Sequence, residues 1–471
     1  MEIITLPSGN SYIYEQKTGY LSLIPSSNKS NTKQISYYYD KHKYLKQFGL
    51  ISDNSNIEFK YKKLDAKDIE EALIDTHQII FEVTDKCNLA CYYCGYGHFY
   101  YNHDVRENQD MSFDVFITLF NYLKELWKNS KNKGCTYLRI SFYGGEPLCN
   151  FPFIKKAVDY VKNNPIKNKQ IIFSMTTNAV LLDKYMDFLV QNNFEILISL
   201  DGNKYNDSYR VFKSGKNSFD SVISNVDKLY RSYPDYFTRN IKFNSVLHNR
   251  NSVKDANSFI FKRYNKYPMT NELNVFGIAE SKRNEFFKIF NSKTKEFSLM
   301  NETEKKRYED QSPFLHNCKK WIFNTLMKTY SANLLDVFSE NYFFVRNISK
   351  KEELPTKTCI PFSRKIFVSV DGSLFPCERI GNEFDFGKIR KDKVEINFKN
   401  ILEIYNKLFS KYEKSCNNCK AKDFCSVCVV SDINGFEFCS KIKPRNIKEY
   451  ISFFEVNPNI LDDIIKNMSI I

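Results

Sequence analysis

Apolar residues fall along this chain in two alternating rhythms. Between residues 77 and 280, short β-branched and aromatic runs alternate with stretches whose apolar residues recur every three or four positions. The first rhythm suits a buried strand and the second an amphipathic helix. Strands are predicted at Ile79–Thr84, Tyr137–Tyr143, Gln170–Thr176, Glu195–Leu200, Ile241–Leu247 and Leu273–Ala279. Helices are predicted at Phe113–Trp127, Phe151–Val161, Leu182–Asn192, Phe219–Tyr230 and Val253–Tyr264. Helical spacers of this length imply parallel strands. Six such units predict an α/β fold: a partial (βα)6 barrel with its active loops at the C-terminal ends of the strands.

The flanks read differently. Residues 1–76 predict a small α+β module. It holds a hairpin of Tyr12–Glu15 with Tyr20–Ile24, a helix at Tyr37–Phe48 stopped by Gly49, and a strand at Ile57–Tyr61. A winged-helix-like module and an irregular extension packed on the barrel are both compatible with that pattern. Residues 281–358 read as a polar linker with helical stretches at Lys305–Tyr308 and Trp321–Tyr330. Residues 359–445 form a separate cysteine-bearing region. In it Val370-Asp371-Gly372 turns between strands Lys365–Val370 and Ser373–Pro376, and Ile401–Tyr412 is a helix. Residues 446–471 read as a helical tail, with Ile447–Met468 its helical part.

Composition narrows the class. Apolar residues at 42% and charged residues at 26% exclude a disordered chain. The 69 basic and 55 acidic residues leave a charge of +14. The lysines are scattered singly, so no nucleic-acid partner is expected. The longest uncharged run, Gln170 to Leu182, is too short to span a bilayer, and the first residues lack a signal-peptide pattern. No membrane partner is expected. Thirteen cysteines, clustered and odd in number, argue for metal or redox chemistry in a reducing, cytoplasmic setting.

The first cluster directly follows the first strand: Cys87-Asn88-Leu89-Ala90-Cys91-Tyr92-Tyr93-Cys94. Three thiolates at this spacing can reach three irons of one cubane, leaving a fourth iron open. An incomplete zinc site, or buried thiols without chemistry, are the plainer alternatives. The spacing resembles that of the radical S-adenosylmethionine (SAM) superfamily, which implies a TIM-like radical SAM barrel. By that resemblance Cys87, Cys91 and Cys94 hold a 4Fe–4S cluster and Tyr93 lies against the adenine. Gly144-Gly145-Glu146-Pro147 after the second strand resembles the family's glycine-rich motif, with Glu146 on the methionine ammonium. Glycines permit close backbone approach to a ligand. Ser199 and Asp201 match a ribose-contacting segment, and Arg210 a residue pairing with the SAM carboxylate. Thr176 and Asn178 lie where relatives carry a Thr-Asn-Gly turn; here Ala179 replaces the glycine.

The second cluster comprises Cys359, Cys377, Cys416, Cys419, Cys425, Cys428 and Cys439. Its Cys-x2-Cys-x5-Cys run alone could be a zinc ribbon. With Gly372 between Cys359 and Cys377, the array resembles the SPASM domain, which implies two auxiliary 4Fe–4S clusters and three in all. The resemblance assigns Cys416, Cys419, Cys425 and Cys439 to an outer cluster. It assigns Cys359, Cys377 and Cys428 to an inner one, whose fourth site is open or filled by Cys318. Two residues rather than the usual three separate Cys425 from Cys428. Cys135 and Cys149 are left over as ordinary buried thiols.

What the resemblance implies is an enzyme that cleaves SAM reductively to a 5′-deoxyadenosyl radical and abstracts hydrogen from a peptide. The implied partners are a ribosomally made precursor peptide and an electron donor such as flavodoxin or ferredoxin. The stretch through Cys94-Gly95-Tyr96-Gly97 and Pro376-Cys377-Glu378-Arg379 looks most like Bacteroidetes maturases of Gly-Gly-leader peptides. The implied products are a thioether or carbon crosslink, or an epimerised residue. Residues 1–76 would grip the leader, and Glu378 would be a general base or else a structural ion pair. Anaerobic sulfatase maturases share the array, but Glu353 stands where they carry an extra cysteine and Glu378 where they carry Asp. A non-catalytic leader-binding or zinc-ribbon scaffold is the alternative from another class.

Overall fold

The computed structural model describes residues 2–15, 20–24, 61–101, 106–129, 137–275, 277–292, 354–356, 358–417 and 427–430, with a few isolated positions besides. Two compact units divide the chain. One comprises residues 1–63, 318–358 and 406–471; the other comprises 64–317 and 359–405.

In the first unit β1 (Glu2–Thr5), β2 (Ser11–Glu15) and β3 (Tyr20–Ile24) form an antiparallel sheet in chain order. Strands β2 and β3 are the expected hairpin, with Ser11 opposite Ile24 and Glu15 opposite Tyr20. The hydrophobic pattern does not predict β1. The expected helix at Tyr37–Phe48 and strand at Ile57–Tyr61 lie, apart from isolated positions, outside the described residues. So do the stretches expected at Lys305–Tyr308, Trp321–Tyr330 and, save for Lys448, Ile447–Met468.

The second unit opens with α1 (Ala66–Ile74). Asp65 and Asp68 cap it reciprocally, each carboxylate accepting the other's backbone N–H at 3.0 Å. Then come β4 (Gln78–Thr84), β5 (Tyr137–Gly144), β6 (Gln170–Thr177), β7 (Glu195–Ser199), β8 (Ile241–Leu247) and β9 (Met269–Glu272). Each pairs in parallel with the next. The crossovers carry α2 (Phe113–Asn129), α3 (Phe151–Asn163), α4 (Leu182–Gln191), α5 (Phe219–Ser232) with α6 (Pro234–Asn240), and α7 (Val253–Tyr264). A short helix, α8 (Arg283–Ile289), follows β9.

One strand needs correcting. The sixth was expected at Leu273–Ala279 but lies at Met269–Glu272. Among the described residues β9 pairs only with β8 and ends the sheet, so it needs no continuous apolar run. Leu273 and Ile278 are buried beyond the strand, in a cluster with Tyr93, Phe99, Tyr100, Tyr209 and Phe286.

At the other end the sheet is extended by late sequence. Strand β10 (Ile366–Val368) pairs in parallel with β4, Ile366 opposite Ile79, and β11 (Leu374–Phe375) pairs antiparallel with β10. This is the expected hairpin with shorter strands, and Gly372 in its turn takes φ +85°. Val370 N–H donates to the buried Glu82 carboxylate of β4 at 3.1 Å. Arg106 donates to the other oxygen of that carboxylate at 2.7 Å. A second hairpin, β12 (Gly387–Arg390) with β13 (Lys393–Ile396), is held to α2 by Thr118 Oγ1 donating to the Lys391 carbonyl at 2.8 Å. Helix α9 (Phe398–Asn417) contains the expected Ile401–Tyr412. Among the described residues, no helix is long and apolar enough to cross a membrane.

Aromatic rings fill the core. Phe142 on β5 is fully buried and stacks on Phe173 and Phe194, with centroids 6.5 and 5.9 Å away. Phe142→Ala removes both contacts and leaves a cavity, so chemical denaturation should show a loss of about 3–5 kcal/mol.

Candidate active site

The loop leaving β4 carries the three cysteines and is strapped to the loop beyond β7. Ala90 N–H donates to the Val211 carbonyl at 2.7 Å, and Tyr92 N–H to that of Tyr209 at 3.0 Å. Cys87, Cys91 and Cys94 are half-buried, form no disulfide and lie within electrostatic reach of one another. Leu89 N–H points at the Cys87 sulfur, 3.4 Å away. Burial pushes both Cys87 and Cys91 up to about 12. Metal binding would displace those protons, since the thiolate is the ligand.

The two glycines at the end of β5, Gly144 its last residue and Gly145 the next, make the site possible. A Cβ on Gly144 would stand 2.0 Å from the Thr84 carbonyl oxygen, and one on Gly145 2.3 Å from that of Lys86. Backbone therefore lies directly on backbone, and Glu146 N–H donates to the Lys86 carbonyl at 2.8 Å. The Glu146 carboxylate is buried. It accepts the Thr177 hydroxyl at 2.7 Å, Asn178 N–H at 2.7 Å and Leu148 N–H at 3.2 Å. Burial outweighs these donors and pushes Glu146 up to about 7. Asn178 also donates to Asn88, at 2.8 Å, and points at the Cys87 sulfur from 3.9 Å. Thr177 is the residue that meets Glu146, while Thr176, expected with Asn178 in the Thr-Asn-Gly-like turn, sits half-buried on β6. Ala179 keeps a left-handed backbone, φ +62°, where the resembling motif has glycine.

Asp201, just beyond β7 and Ser199, is a fully buried hub. It accepts the Tyr93 hydroxyl, Arg210 Nε at 3.0 Å and Val246 N–H at 2.8 Å. Burial opposes ionisation, but Arg210, then His248 and Tyr93, hold its carboxyl below the usual range. Asp207, 3.5 Å from Arg210 Nε, is pushed up by burial and by Asp201. Arg210 thus faces two carboxylates of its own chain. The structure brings Tyr93, Asp201 and Arg210 together, and separately Glu146, Asn178 and Cys87.

Sequence reasoning passed over Thr177, Asn88, His248 and the environment of Cys149. Cys149 lies in the 3-10 turn Pro147–Asn150, within electrostatic reach of Cys87. Its place right after the Gly-Gly-Glu-Pro run was the available signal. No local pattern marked His248.

Of the second constellation, Cys359 is exposed and Cys377 half-buried, both in the second unit. Arg379 N–H donates to the Cys377 sulfur at 3.2 Å. In the first unit Cys416 is buried near the end of α9, while Cys428 is exposed. Its flanking residues are fixed: Thr358 Oγ1 accepts Val429 N–H at 2.9 Å and donates to the Val427 carbonyl at 3.3 Å. Cys419, Cys425, Cys439, Cys318 and Cys135 lie outside the described residues. Glu378 is gripped by Lys365 at 3.0 and 2.9 Å. Burial raises Glu378, but Lys365 outweighs it and holds the carboxyl below its usual range.

Among the described residues, no three His, Cys, Asp or Glu side chains surround a point fit for a single metal ion. A four-iron cluster is held differently, each thiolate on its own iron. Three unpaired thiols in one loop, beside a glycine cradle that leaves no room for a Cβ, fit that group.

Comparison with known proteins agrees. Residues 81–260 match the family model of the Radical SAM superfamily. Such a domain implies a 4Fe–4S cluster and SAM. A cysteine-type anaerobic sulfatase-maturating enzyme of Clostridium novyi is 31% identical over 34% of this chain; the chain spans only 41% of that relative's length. A radical SAM cyclopropyl synthase, TigE, of Paramaledivibacter caminithermalis is 24% identical over 73% of this chain and 66% of its own length. The solved structure of native anSMEcpe with bound AdoMet and Cp18Cys peptide has the same fold. It shows a TM-score of 0.50 and 19% identity over 83% of this chain and 99% of that one.

Two outcomes follow from the cradle. Gly145→Ala forces a methyl into the Lys86 carbonyl, so chemical denaturation should show a stability loss greater than the roughly 1 kcal/mol scale of an ordinary glycine replacement. Glu146 rises from an ordinary value of 4.5 to about 7 on folding. Its stabilising contribution is full below about pH 4.5 and is lost as pH rises through about 7. Across that window the thermal midpoint of the cluster-free protein should fall more steeply than that of Glu146→Gln, which does not titrate.

Proposed function

We propose that this chain, a radical SAM enzyme related to the anaerobic sulfatase maturases, modifies a ribosomally made peptide after its synthesis. One arrangement carries the reading: the Cys87–Cys94 loop pressed by the Gly144-Gly145 backbone, with Glu146 and the Asp201 hub on either side. In this reading Cys87, Cys91 and Cys94 hold the first cluster, whose open iron would take SAM. When bound, cluster and SAM supply one-electron cleavage and a carbon-centred radical that abstracts hydrogen from the peptide. Glu146 presents a buried acceptor for an ammonium, and Arg210 a cation for a carboxylate. The ribose would meet the segment of Ser199 and Asp201, and the adenine Tyr93. Thr176 and Asn178 complete the wall at the end of β6.

Two auxiliary clusters are part of the proposal, held by Cys416, Cys419, Cys425 and Cys439 and by Cys359, Cys377 and Cys428, with Cys318 a candidate fourth ligand. The reading divides the chain into 1–76, 77–280, 281–358, 359–445 and 446–471. Residues 1–76 would take the leader, and β1–β3 offers edges onto which an extended peptide could add. The reading further takes the chain to be cytoplasmic and reduced by a flavodoxin or ferredoxin. Of the two roles open to Glu378, the 2.9 Å contact with Lys365 favours the structural ion pair.

Sulfatase maturation is the second reading, favoured by the names of several relatives. Glu353 and Glu378 replace the cysteine and Asp of that pattern and count against it. Anaerobic reconstitution should give about twelve irons per chain for three four-iron clusters. With reductant and SAM it should yield 5′-deoxyadenosine, and Cys91→Ala should yield none. A chain that holds only zinc, or forms no 5′-deoxyadenosine, overturns the enzyme reading. Mass spectrometry would separate the two enzyme readings. Conversion of a Cys- or Ser-containing sulfatase peptide to formylglycine supports the second; a crosslink or epimer in a Gly-Gly-leader peptide supports the first.

A further inference from the structure

A cleft of about 410 Å³ opens beside the cysteine loop, and Tyr92, Ser208, Tyr209, Arg250, Glu285 and Lys288 help to line it. Tyr92 stands between Cys91 and Cys94, so one wall of the cleft is the cluster loop itself. The two tyrosines of that loop part company. Tyr93 donates to the Asp201 hub, whereas the Tyr92 hydroxyl donates to Glu285 at 2.6 Å. The Tyr92 ring stacks on Tyr209, with centroids 5.1 Å apart and planes at 20°. The Arg250 guanidinium lies 3.8 Å from the Tyr209 centroid, a cation–π contact that steadies the cation at the cleft.

The charges in the cleft do not balance. Glu285 is already matched, taking His98 at 3.2 Å and Lys282 at 3.3 Å besides Tyr92. Arg250 Nη1 donates to the Ser208 hydroxyl at 2.8 Å, and Lys288 is exposed in α8. Among the described residues neither cation is paired with a carboxylate. Two free cations beside stacked tyrosine rings therefore front the loop that carries the first three cysteines. Arginine and tyrosine are the residues on which interfaces concentrate their binding energy, and unpaired cations select a partner of opposite charge.

We propose that this cleft docks the acidic face of a protein electron donor, with Arg250 and Lys288 meeting carboxylates that border the donor's redox group. The occupant follows from place and charge together. Reductive cleavage of SAM needs an electron from outside the chain, and here the loop between two cluster ligands meets solvent. One electron leaves the donor, which is oxidised by one unit, and enters the cluster, which is reduced by one unit. No proton or group moves with it. This inference rests on the radical SAM reading above and gives its electron donor a place.

Binding is the first test, read as fluorescence anisotropy of a dye-labelled, oxidised flavodoxin titrated with the full chain. Affinity should fall as salt is raised. Lys288→Glu should weaken it about tenfold and Arg250→Gln about fivefold. Carbodiimide, which joins an amine to a carboxylate, should couple Lys288 to a flavodoxin acid, as mapped by mass spectrometry. In the reconstituted enzyme, Lys288→Glu should slow 5′-deoxyadenosine formation driven by reduced flavodoxin by the same factor as binding. The rate driven by dithionite, which needs no docking surface, should not change. Flavodoxin binding that is unaltered in both variants overturns the proposal, and so does an equal loss of the flavodoxin- and dithionite-driven rates. Sedimentation showing a second copy of the chain seated in the cleft overturns it too. Wild-type protein that forms no 5′-deoxyadenosine even with dithionite sinks the enzyme reading instead, whatever the anisotropy shows.

Discussion

A single buried carboxylate organises the site. Asp201 accepts from Tyr93 in the cysteine loop, from Arg210 in the loop beyond β7 and from the backbone of Val246 in β8. Three segments distant in sequence are thereby fixed to one point. A charge so deeply buried is tolerable only when paired and fully hydrogen-bonded, and here it is both. Removing Arg210 would leave that charge uncompensated, so the ion pair and the position of Tyr93 stand or fall together. The end of β5 has a different logic. There the constraint is absence of atoms, because Gly144 and Gly145 let two backbones touch and so bring Glu146 beside Asn178 and Cys87.

The sequence exposed the parts of this site that are local in the chain. The Cys87–Cys94 spacing, the Gly144-Gly145-Glu146-Pro147 run and the strand–helix rhythm are each short enough to read directly. His248, Thr177 and the Glu82–Arg106 pair were invisible, because their meaning depends on what the fold places opposite them. Thr176 and Thr177 are adjacent and chemically identical; only the strand's pleat decides which faces Glu146. The sixth strand misled for a related reason. Leu273 and Ile278 are apolar because they feed an aromatic cluster, while the strand itself ends the sheet and is polar.

Ala179 shows how a motif can change a letter and keep its geometry. The turn still takes a left-handed backbone, and Thr177 Oγ1 accepts the Ala179 N–H at 3.0 Å. Thr177 therefore does two jobs, donating to Glu146 and pinning the turn that delivers Asn178. An L-residue in this conformation is strained, and the buried methyl and this hydrogen bond hold it there.

The pairing of β10 with β4 bears on how the chain is made. Strand β4 leaves the ribosome about 290 residues before the segment that covers its free edge. At 5–20 residues per second, that edge waits roughly 15–60 s with its backbone groups unpaired. For all that time the nascent sheet is open to any passing strand. Strand β10 then closes it, and Val370 N–H, just beyond that strand, donates to the Glu82 carboxylate. Synthesis speed across the intervening stretch, rather than stability of the finished protein, would then govern how much of it reaches the native state.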